Sequence, residues 1–268
     1  ICPDVLNDCM TTEDIWCRMQ RRVPPVVSEY FRGGADAEIT LRGNVRAFQQ
    51  SFVNAEGAKR FEVIDTATTV LAHRIAVPWY ITPVGSLRTL YPKAEAVAAK
   101  VAGQFGTVMG LSTLSGTPME EVAQASSHSC WFQLYLCGGR ETALRAIDRA
   151  KKAGFTALIL TIDTSVSGQR LVHARMKPLE AMRSWEGLSL QQKLQSLRRI
   201  ISLAPQMLPR FNWLLDFYGD NGVMEFVNIL DVEGKPMPFT DIGTQLAESA
   251  ITWSDLGWIK EAWGSDQP

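Results

Sequence analysis

The chain has 268 residues, 46% of them hydrophobic, with a formal net charge of -1 and a pI near 6.4. This length and composition allow a sizeable core, in one α/β domain or two small ones. The charge balance gives no reason to expect a nucleic-acid partner, because such binding needs clustered lysine and arginine.

The first 76 residues are predicted to be mainly helical. Residues 11–14 have the sequence of a helix start, and a second helix is expected to end at Gly33 and Gly34. Tyr30 precedes these glycines, so it either completes local packing or faces a ligand.

Short apolar runs that end in polar residues recur over residues 77–178, about 25 residues apart, with helical segments between them. The predicted strands are 77–82, 106–111, 130–135 and 158–164. Thr117 and Glu120 have the spacing of a capping box, which predicts a helix start there. This rhythm predicts a parallel sheet with helical crossovers, and a TIM (β/α)8 barrel fits it better than an α+β fold.

Polar residues close the third and fourth predicted strands: Gln133 and Tyr135 in one, Thr161 and Asp163 in the other. Because a right-handed crossover makes these strands parallel, their carboxyl ends lie at one edge of the sheet. An amide, a phenol, a hydroxyl and a carboxylate at one edge predict a ligand site. The alternative is that they only bond neighbouring loops.

The pattern changes after Arg170. Residues 179–250 contain no predicted strand of comparable quality and are interpreted as a long helical insertion. The apolar stripe consists of Leu190, Leu194, Leu197 and Ile201. Basic and aromatic residues accompany this stripe, so segment 188–218 is predicted to lie on a membrane surface or a partner. Packing of this helix on its own barrel is the alternative.

Several motifs in this order resemble one known family, the FMN-dependent 2-hydroxy-acid oxidases and dehydrogenases, which includes glycolate oxidase, flavin-type lactate dehydrogenase and mandelate dehydrogenase. The motifs are residues 30–35, 40–41, 83–85, 111–112, 132–135 and 161–164, with Gly168 and Arg170. The resemblance covers residues 11–175, and the insertion looks most similar to the mandelate and lactate dehydrogenase branch, where that loop serves membrane association. The resemblance implies a TIM barrel.

The resemblance also implies FMN as the cofactor. The implied cofactor-binding residues are Pro83, Val84, Gly85, Ser112, Gln133 and Thr161. The backbone at 83–85 would approach the flavin N5 edge, which suits a glycine. Val84 replaces the threonine of many relatives and so removes a hydroxyl. The other three residues would hydrogen-bond the polar edge of the ring.

The same resemblance assigns substrate and catalytic roles. Tyr30 and Arg170 would hold the substrate carboxylate, since a cation and a phenol fix its orientation. Tyr135 would donate to the substrate oxygen. Asp163 matches the aspartate that pairs with the catalytic histidine of the family.

That histidine has no match here, since His73, His128 and His173 all lie elsewhere in the matched region. The family's flavin-contacting lysine, second arginine and phosphate loops are also missing. We count four predicted strands, and a closed barrel needs eight. Residues 1–268 are therefore interpreted as one incomplete barrel domain that ends in a helix at 251–268. The remainder is expected as a separate chain, a continuation or a deleted region.

The predicted function is oxidation of a small L-2-hydroxy acid, such as lactate or mandelate, to the 2-oxo acid. The electron acceptor would be oxygen, a quinone or a cytochrome, and the resemblance favours a homotetramer. Without a signal-peptide pattern, CxxC pair or bilayer-spanning run, the expected location is cytoplasmic with reduced thiols, or peripheral on the inner face of the cell membrane. A disulfide among Cys2, Cys9 and Cys17 is the alternative for these thiols. Two other functions stay open: an inactive half-barrel for binding or assembly, and a different flavin-dependent barrel enzyme.

Overall fold

A computed structural model describes residues 8–164, 166, 168–171, 175, 189–220, 222, 225–231, 233–238, 242–264 and 268. The chain forms two compact units. The helical unit comprises residues 1–54 and 168–219, and the sheet unit comprises residues 55–167 and 220–268. His173 and the first residues of the predicted insertion, 179–188, lie outside the described residues.

The described helices and strands are named in chain order. The helices are α1 (Thr12–Arg22), α2 (Pro25–Arg32), α3 (Ile39–Gln49), α4 (Ala94–Gln104), α5 (Met119–Ala125), α6 (Gly139–Lys152), α7 (Leu190–Met207), α8 (Phe211–Gly219), α9 (Ile242–Ala247) and α10 (Leu256–Trp263). The strands are β1 (Thr68–Val70), β2 (His73–Ile75), β3 (Met109–Ser112), β4 (Cys130–Leu134), β5 (Ala157–Leu160), β6 (Glu225–Leu230) and β7 (Pro236–Pro238). Short 3-10 helices cover Leu87–Thr89, Leu208–Arg210 and Trp253–Asp255.

The sheet unit is built around a parallel sheet of order β3-β4-β5. Helices α5 and α6 make the crossovers, as the sequence predicts. In the register, Ser112 lies opposite Gln133, and Gln133 lies opposite Ile159. The carboxyl ends of the three strands therefore meet at one edge.

The two faces of this sheet have different neighbours because successive strand residues point to opposite sides. Leu111, Phe132 and Leu134 belong to a buried cluster that includes residues of α4, α5, α6 and α10. Trp131 and Ala157 belong to a second cluster on the other face. The first face packs against the helices. The second face is the one on which the polar side chains at the strand ends lie.

The predicted first strand at 77–82 is much shorter in the structure. Only Ile81 pairs with the sheet, through a parallel bridge to Met109. Its N–H donates to the Val108 carbonyl at 3.0 Å. Pro78 and Pro83 flank this residue, and proline cannot donate to a strand ladder, so the pairing stays local.

Two antiparallel hairpins lie in regions 1–76 and 179–250, for which the sequence predicts mainly helices. Strands β1 and β2 pair antiparallel across Leu71 and Ala72, which both have positive φ, as a two-residue hairpin loop requires. Strands β6 and β7 also pair antiparallel, with Gly234 at φ +79° in the turn. In β6, Phe226 and Ile229 are buried beside Leu114 and Cys137.

In the helical unit, α1 begins at a capping box in which Asp14 accepts from the Thr11 N–H at 2.8 Å. Helices α7 and α8 bury Leu203 and Trp213 but expose much of their apolar surface. The exposed apolar residues of these helices and of the 3-10 helix between them are Leu190, Leu194, Leu197, Ile200, Ile201, Leu208, Phe211, Leu215 and Tyr218. The helix predicted from the leucine spacing is confirmed, and its apolar stripe faces outwards. Among the described helices, none is long and apolar enough to cross a membrane.

Cys137, in the sheet unit, is a buried free thiol. Burial raises its pKa to about 11, against an ordinary value of 9.0, although a hydrogen bond with Ser249 opposes the rise. Only the thiolate is nucleophilic, so we expect iodoacetamide at pH 8 to modify the exposed Cys17 and to leave Cys137 unmodified until the protein unfolds. Peptide mass mapping checks this.

The sign of the pH effect follows from the raised pKa of Cys137. Its contribution to stability is complete below pH 9.0, the ordinary value, and is lost as the pH rises towards about 11. Rapid modification of Cys137 in the folded protein at pH 8 would contradict the burial. Cys9 and Cys17 are free, so the alternative of a disulfide between these two is wrong, and Cys2, the third cysteine of that alternative, lies outside the described residues.

Candidate functional site

A hydrogen-bonded row of three side chains crosses the carboxyl ends of β3, β4 and β5. Ser112 Oγ donates to Gln133 Oε1 at 3.1 Å, and Gln133 Nε2 donates to Thr161 Oγ1 at 2.8 Å. Gln133 is only 3% exposed, and Ser112 is buried too. The strand order predicts that Gln133 and Thr161 lie together, and the family resemblance adds Ser112; we call these three residues the polar row.

Thr113 supports this row and was not predicted from the sequence. Its N–H donates to Gln133 Oε1 at 3.2 Å, and its hydroxyl donates to the Gln133 carbonyl. The same hydroxyl accepts from the Tyr135 N–H at 3.1 Å. The sequence feature that could have indicated this role is the position of Thr113 directly after Ser112, at the end of a strand.

The loop at 83–85 lies beside the row, as the resemblance implies. A Cβ added to Gly85 would lie 3.1 Å from the Leu114 Cβ and 3.7 Å from Ser112 Oγ. Pro83 packs over Gly110, whose added Cβ would lie 3.0 Å from the proline ring. Val84 is exposed. The structure therefore brings this loop to the β3 end of the polar row, where a side chain at position 85 would crowd it.

Tyr135 and Asp163 follow the ends of β4 and β5. Tyr135 is half-buried and packs against the cluster of Leu114, Cys137 and Phe226. Asp163 is exposed, three residues beyond β5. Both therefore lie at the carboxyl edge of the sheet, Tyr135 within packed surroundings and Asp163 on the surface.

Tyr30 and Arg170 lie together in the helical unit. The Arg170 guanidinium carbon is 4.9 Å from the centroid of the Tyr30 ring, a cation–π arrangement. Arg170 Nη1 also donates to the Tyr30 carbonyl. These two residues, 140 positions apart in sequence, therefore form a cation–phenol pair in which Arg170 is exposed and Tyr30 is half-buried.

The two described histidines lie away from the polar row. His73 is in β2, and His128 precedes β4, where its Nε2 is 3.1 Å from the Arg74 carbonyl oxygen. Both positions are at the amino side of the sheet rather than at the row. Within the described ranges, no three His, Cys, Asp or Glu side chains are grouped to bind a metal ion.

The chemistry of the polar row fits the polar edge of a flavin, which carries carbonyl acceptors and a ring N–H donor. An amide nitrogen has two hydrogens, and Gln133 uses one of them on Thr161 among the described residues. Thr161 accepts that bond, so its own hydroxyl hydrogen can be donated. The row thus offers pre-oriented donors and acceptors side by side, and Ser112, Gln133 and Thr161 could hold FMN by this edge.

Comparison with known proteins agrees with this chemistry. The FMN-dependent dehydrogenase family profile matches residues 19–266. An L-lactate dehydrogenase of Xanthomonas campestris pv. campestris (strain 8004) is 32% identical over 247 residues, covering 91% of this chain and 60% of that protein. A pre-mycofactocin synthase of Mycobacterium tuberculosis (strain ATCC 25618 / H37Rv) is 30% identical over 250 residues, covering 92% of this chain and 59% of that protein.

A solved structure shows the architecture. The crystal structure of the monotopic membrane protein (S)-mandelate dehydrogenase matches with a TM-score of 0.79 at 25% identity, covering 96% of this chain and 65% of that one. The parallel sheet and its crossover helices are thus part of a TIM barrel, and the chain spans about 60% of the length of the curated relatives it matches. The chain belongs to the FMN-dependent dehydrogenase family.

Proposed function

We propose that this protein is an FMN-dependent dehydrogenase or oxidase that converts a small L-2-hydroxy acid, such as lactate or mandelate, to the 2-oxo acid. The observation that carries the proposal is the polar row of Ser112, Gln133 and Thr161, which has the donor set for a flavin edge. Relatives named L-lactate dehydrogenase and pre-mycofactocin synthase have similar identity. These names differ in the reaction that they state, and the pair of Tyr30 and Arg170 supports a 2-hydroxy acid as the substrate.

Each side chain has a proposed part in this reaction. Tyr30 and Arg170 supply a phenol and a guanidinium for the substrate carboxylate, whose charge a planar cation binds well. Tyr135 would donate a hydrogen bond to the substrate oxygen, and Asp163 would stabilise a protonated base. The chemistry that FMN supplies when bound is acceptance of the α-hydrogen with its electron pair.

The first test is binding and reduction of the flavin. The purified protein, incubated with FMN and desalted, is expected to be yellow and to bleach without oxygen when L-lactate or (S)-mandelate is added. Visible absorbance measures both steps. A protein that stays colourless, or one that binds FMN but is reduced by neither acid, would refute the corresponding half of the proposal.

The second candidate function is a binding or assembly module without catalysis. It is favoured by the position of His73 and His128 away from the polar row, since the family reaction uses a histidine base. A protein that retains no FMN and still forms a defined complex would support this module.

We also propose that α7 and α8 attach the protein to a membrane surface, with a membrane quinone as electron acceptor. Exposed apolar residues continue along both helices, and Lys193 and Arg198 lie beside them. Such a face binds lipid through apolar burial and attraction to anionic head groups.

The homotetramer is a proposal from the family resemblance alone, to be tested by light scattering.

The membrane proposal predicts the effect of charge on this face. Replacing Ile201 and Leu208 with glutamate should abolish sedimentation with vesicles of phosphatidylglycerol and phosphatidylcholine, because carboxylates are costly to bury in lipid. Both residues are more than 60% exposed, so folding should be retained. The control is Gln192→Glu, an exposed position outside the apolar residues. Unchanged sedimentation of the double variant would contradict membrane attachment through α7 and the 3-10 helix that follows it.

A further inference from the structure

Asn228 is a fully buried polar residue in the hairpin strand β6. Its Oδ1 accepts from the N–H of Met119, the first residue of α5, at 2.9 Å. Its Nδ2 donates to the Thr117 carbonyl at 3.1 Å. Asn228 therefore uses both ends of its amide on the loop that connects β3 to α5.

These contacts replace the capping box predicted at Thr117. The N-cap residue of α5 is Pro118, which makes no side-chain cap bond, and Asn228 caps the helix from another element. The Thr117 hydroxyl donates instead to Glu95 Oε2 at 2.7 Å. The capping-box prediction is thus wrong, because a buried carboxylate competes for the hydroxyl.

Glu95 holds the same loop from the side of α4. It is fully buried and accepts from the Gly116 N–H at 3.3 Å, besides its bond from Thr117. Within the loop, Ser115 Oγ donates to the Thr117 carbonyl at 2.9 Å and accepts from the Thr117 N–H at 3.1 Å. Two separate elements, β6 and α4, therefore hold one short loop through buried hydrogen bonds.

The other end of this loop is the polar row itself. Ser112 Oγ accepts from the Leu114 N–H at 3.1 Å, and the Leu114 carbonyl accepts from the Ser86 N–H at 2.8 Å. Thr113 bonds Gln133 through both its N–H and its hydroxyl. Any shift of the loop would thus be felt at the row and at the loop that contains Gly85.

We propose that Asn228 is a positioning residue for the polar row. It acts from the hairpin through the 113–118 loop and touches neither the flavin nor the substrate. A buried network in which each member is hydrogen-bonded selects one conformation, whereas an incomplete network is costly. The assignment of the row to FMN rests on the proposed function, but the effect of Asn228 on Gln133 does not.

The test uses the full chain with Asn228→Asp, which keeps the acceptor for Met119 and loses the donor to Thr117. The first readout is hydrogen exchange of the Gln133 side-chain amide by NMR, assigned with Gln133→Glu. We expect exchange about tenfold faster than in the unsubstituted protein, since local opening exposes this amide. The second readout is titration with FMN, where affinity should fall about tenfold.

A matched control separates positioning from general loss of stability. Ser249 is fully buried in the same unit, and its hydroxyl donates to the Leu246 carbonyl at 2.9 Å. Ser249→Ala should lower thermal stability without altering exchange of the Gln133 amide. If Asn228→Asp does not fold, Asn228→Leu, which removes both Asn228 bonds without placing a carboxylate in the interior, gives the same readouts.

The outcomes distinguish this proposal from the proposed function. Faster exchange at Gln133 in a protein that never binds FMN would refute FMN binding and uphold the positioning role. The positioning role would be overturned by a folded Asn228→Asp protein, or a folded Asn228→Leu protein in its place, whose Gln133 amide exchanges as in the unsubstituted protein. Weaker FMN binding together with faster exchange supports both.

Discussion

Replacing Gln133 with leucine is expected to weaken FMN binding about a hundredfold, equivalent to about 2.7 kcal/mol. The side chain is buried and joins Ser112, Thr113 and Thr161 in one network. Leucine is similar in size but offers no hydrogen bond, so buried donors on Ser112 and Thr113 lose their acceptor, at about 1–3 kcal/mol for each group. Fluorescence titration of FMN measures the affinity, and denaturant unfolding measures the stability.

The control for this change is Gln124→Leu, an identical substitution at an exposed position near the end of α5. Its FMN affinity and stability should stay close to those of the unsubstituted protein. Gln133→Leu that binds FMN normally while folded would show that the row does not face the cofactor. Loss of affinity in both variants would point to a general effect of the added leucine.

Phe132→Ala is expected to cost about 3–5 kcal/mol of unfolding free energy, a large part of the stability of an ordinary domain. Phe132 is fully buried, and its ring lies edge-on to Phe155 with 6.0 Å between centroids. Truncation leaves a cavity between the sheet and its helices. Gln133 is the next residue in the strand, so we expect the variant to lose FMN binding at the lower temperature at which it unfolds.

Denaturant unfolding followed by circular dichroism measures this cost. Phe105→Ala removes the same ring at a position that is 60% exposed, so its effect should stay within about 1 kcal/mol. Equal losses in the two variants would contradict the assignment of Phe132 to the core.

Gln133 and Thr161 of the polar row could be predicted from the residue pattern alone because their proximity depends on a few local rules, whereas Ser112 required the family resemblance. Apolar runs around Phe132 and Ile159 predict strands, the segment between them predicts a crossover helix, and parallel strands end at one edge. Gln133 and Thr161 then meet for topological reasons. The pair of Tyr30 and Arg170 required the family resemblance, since no local pattern links residues so far apart.

Other features could not be predicted because distant residues decide them. Thr117 has the sequence of a helix cap, but its hydroxyl bonds Glu95 from another helix. The sequence does not predict strand β6 because Asn228, a polar residue, occupies a buried position within its apolar run. The role of Asn228 is apparent only in the folded structure, in which Met119, more than 100 residues earlier, lies beside it. Local propensity is overridden in each case by a tertiary hydrogen bond.

Alternate residues of β4 point to opposite faces of the sheet, and this alternation restricts the insertions that the strand can accept during evolution. Phe132 points to the helices and Gln133 to the row. One residue inserted within the strand would therefore turn every later apolar side chain to the polar face, and every later polar side chain to the apolar face. Loops outside the strands tolerate added residues far better. We therefore expect insertions and deletions among homologues to occur in the segments between the strands and not within the strands themselves.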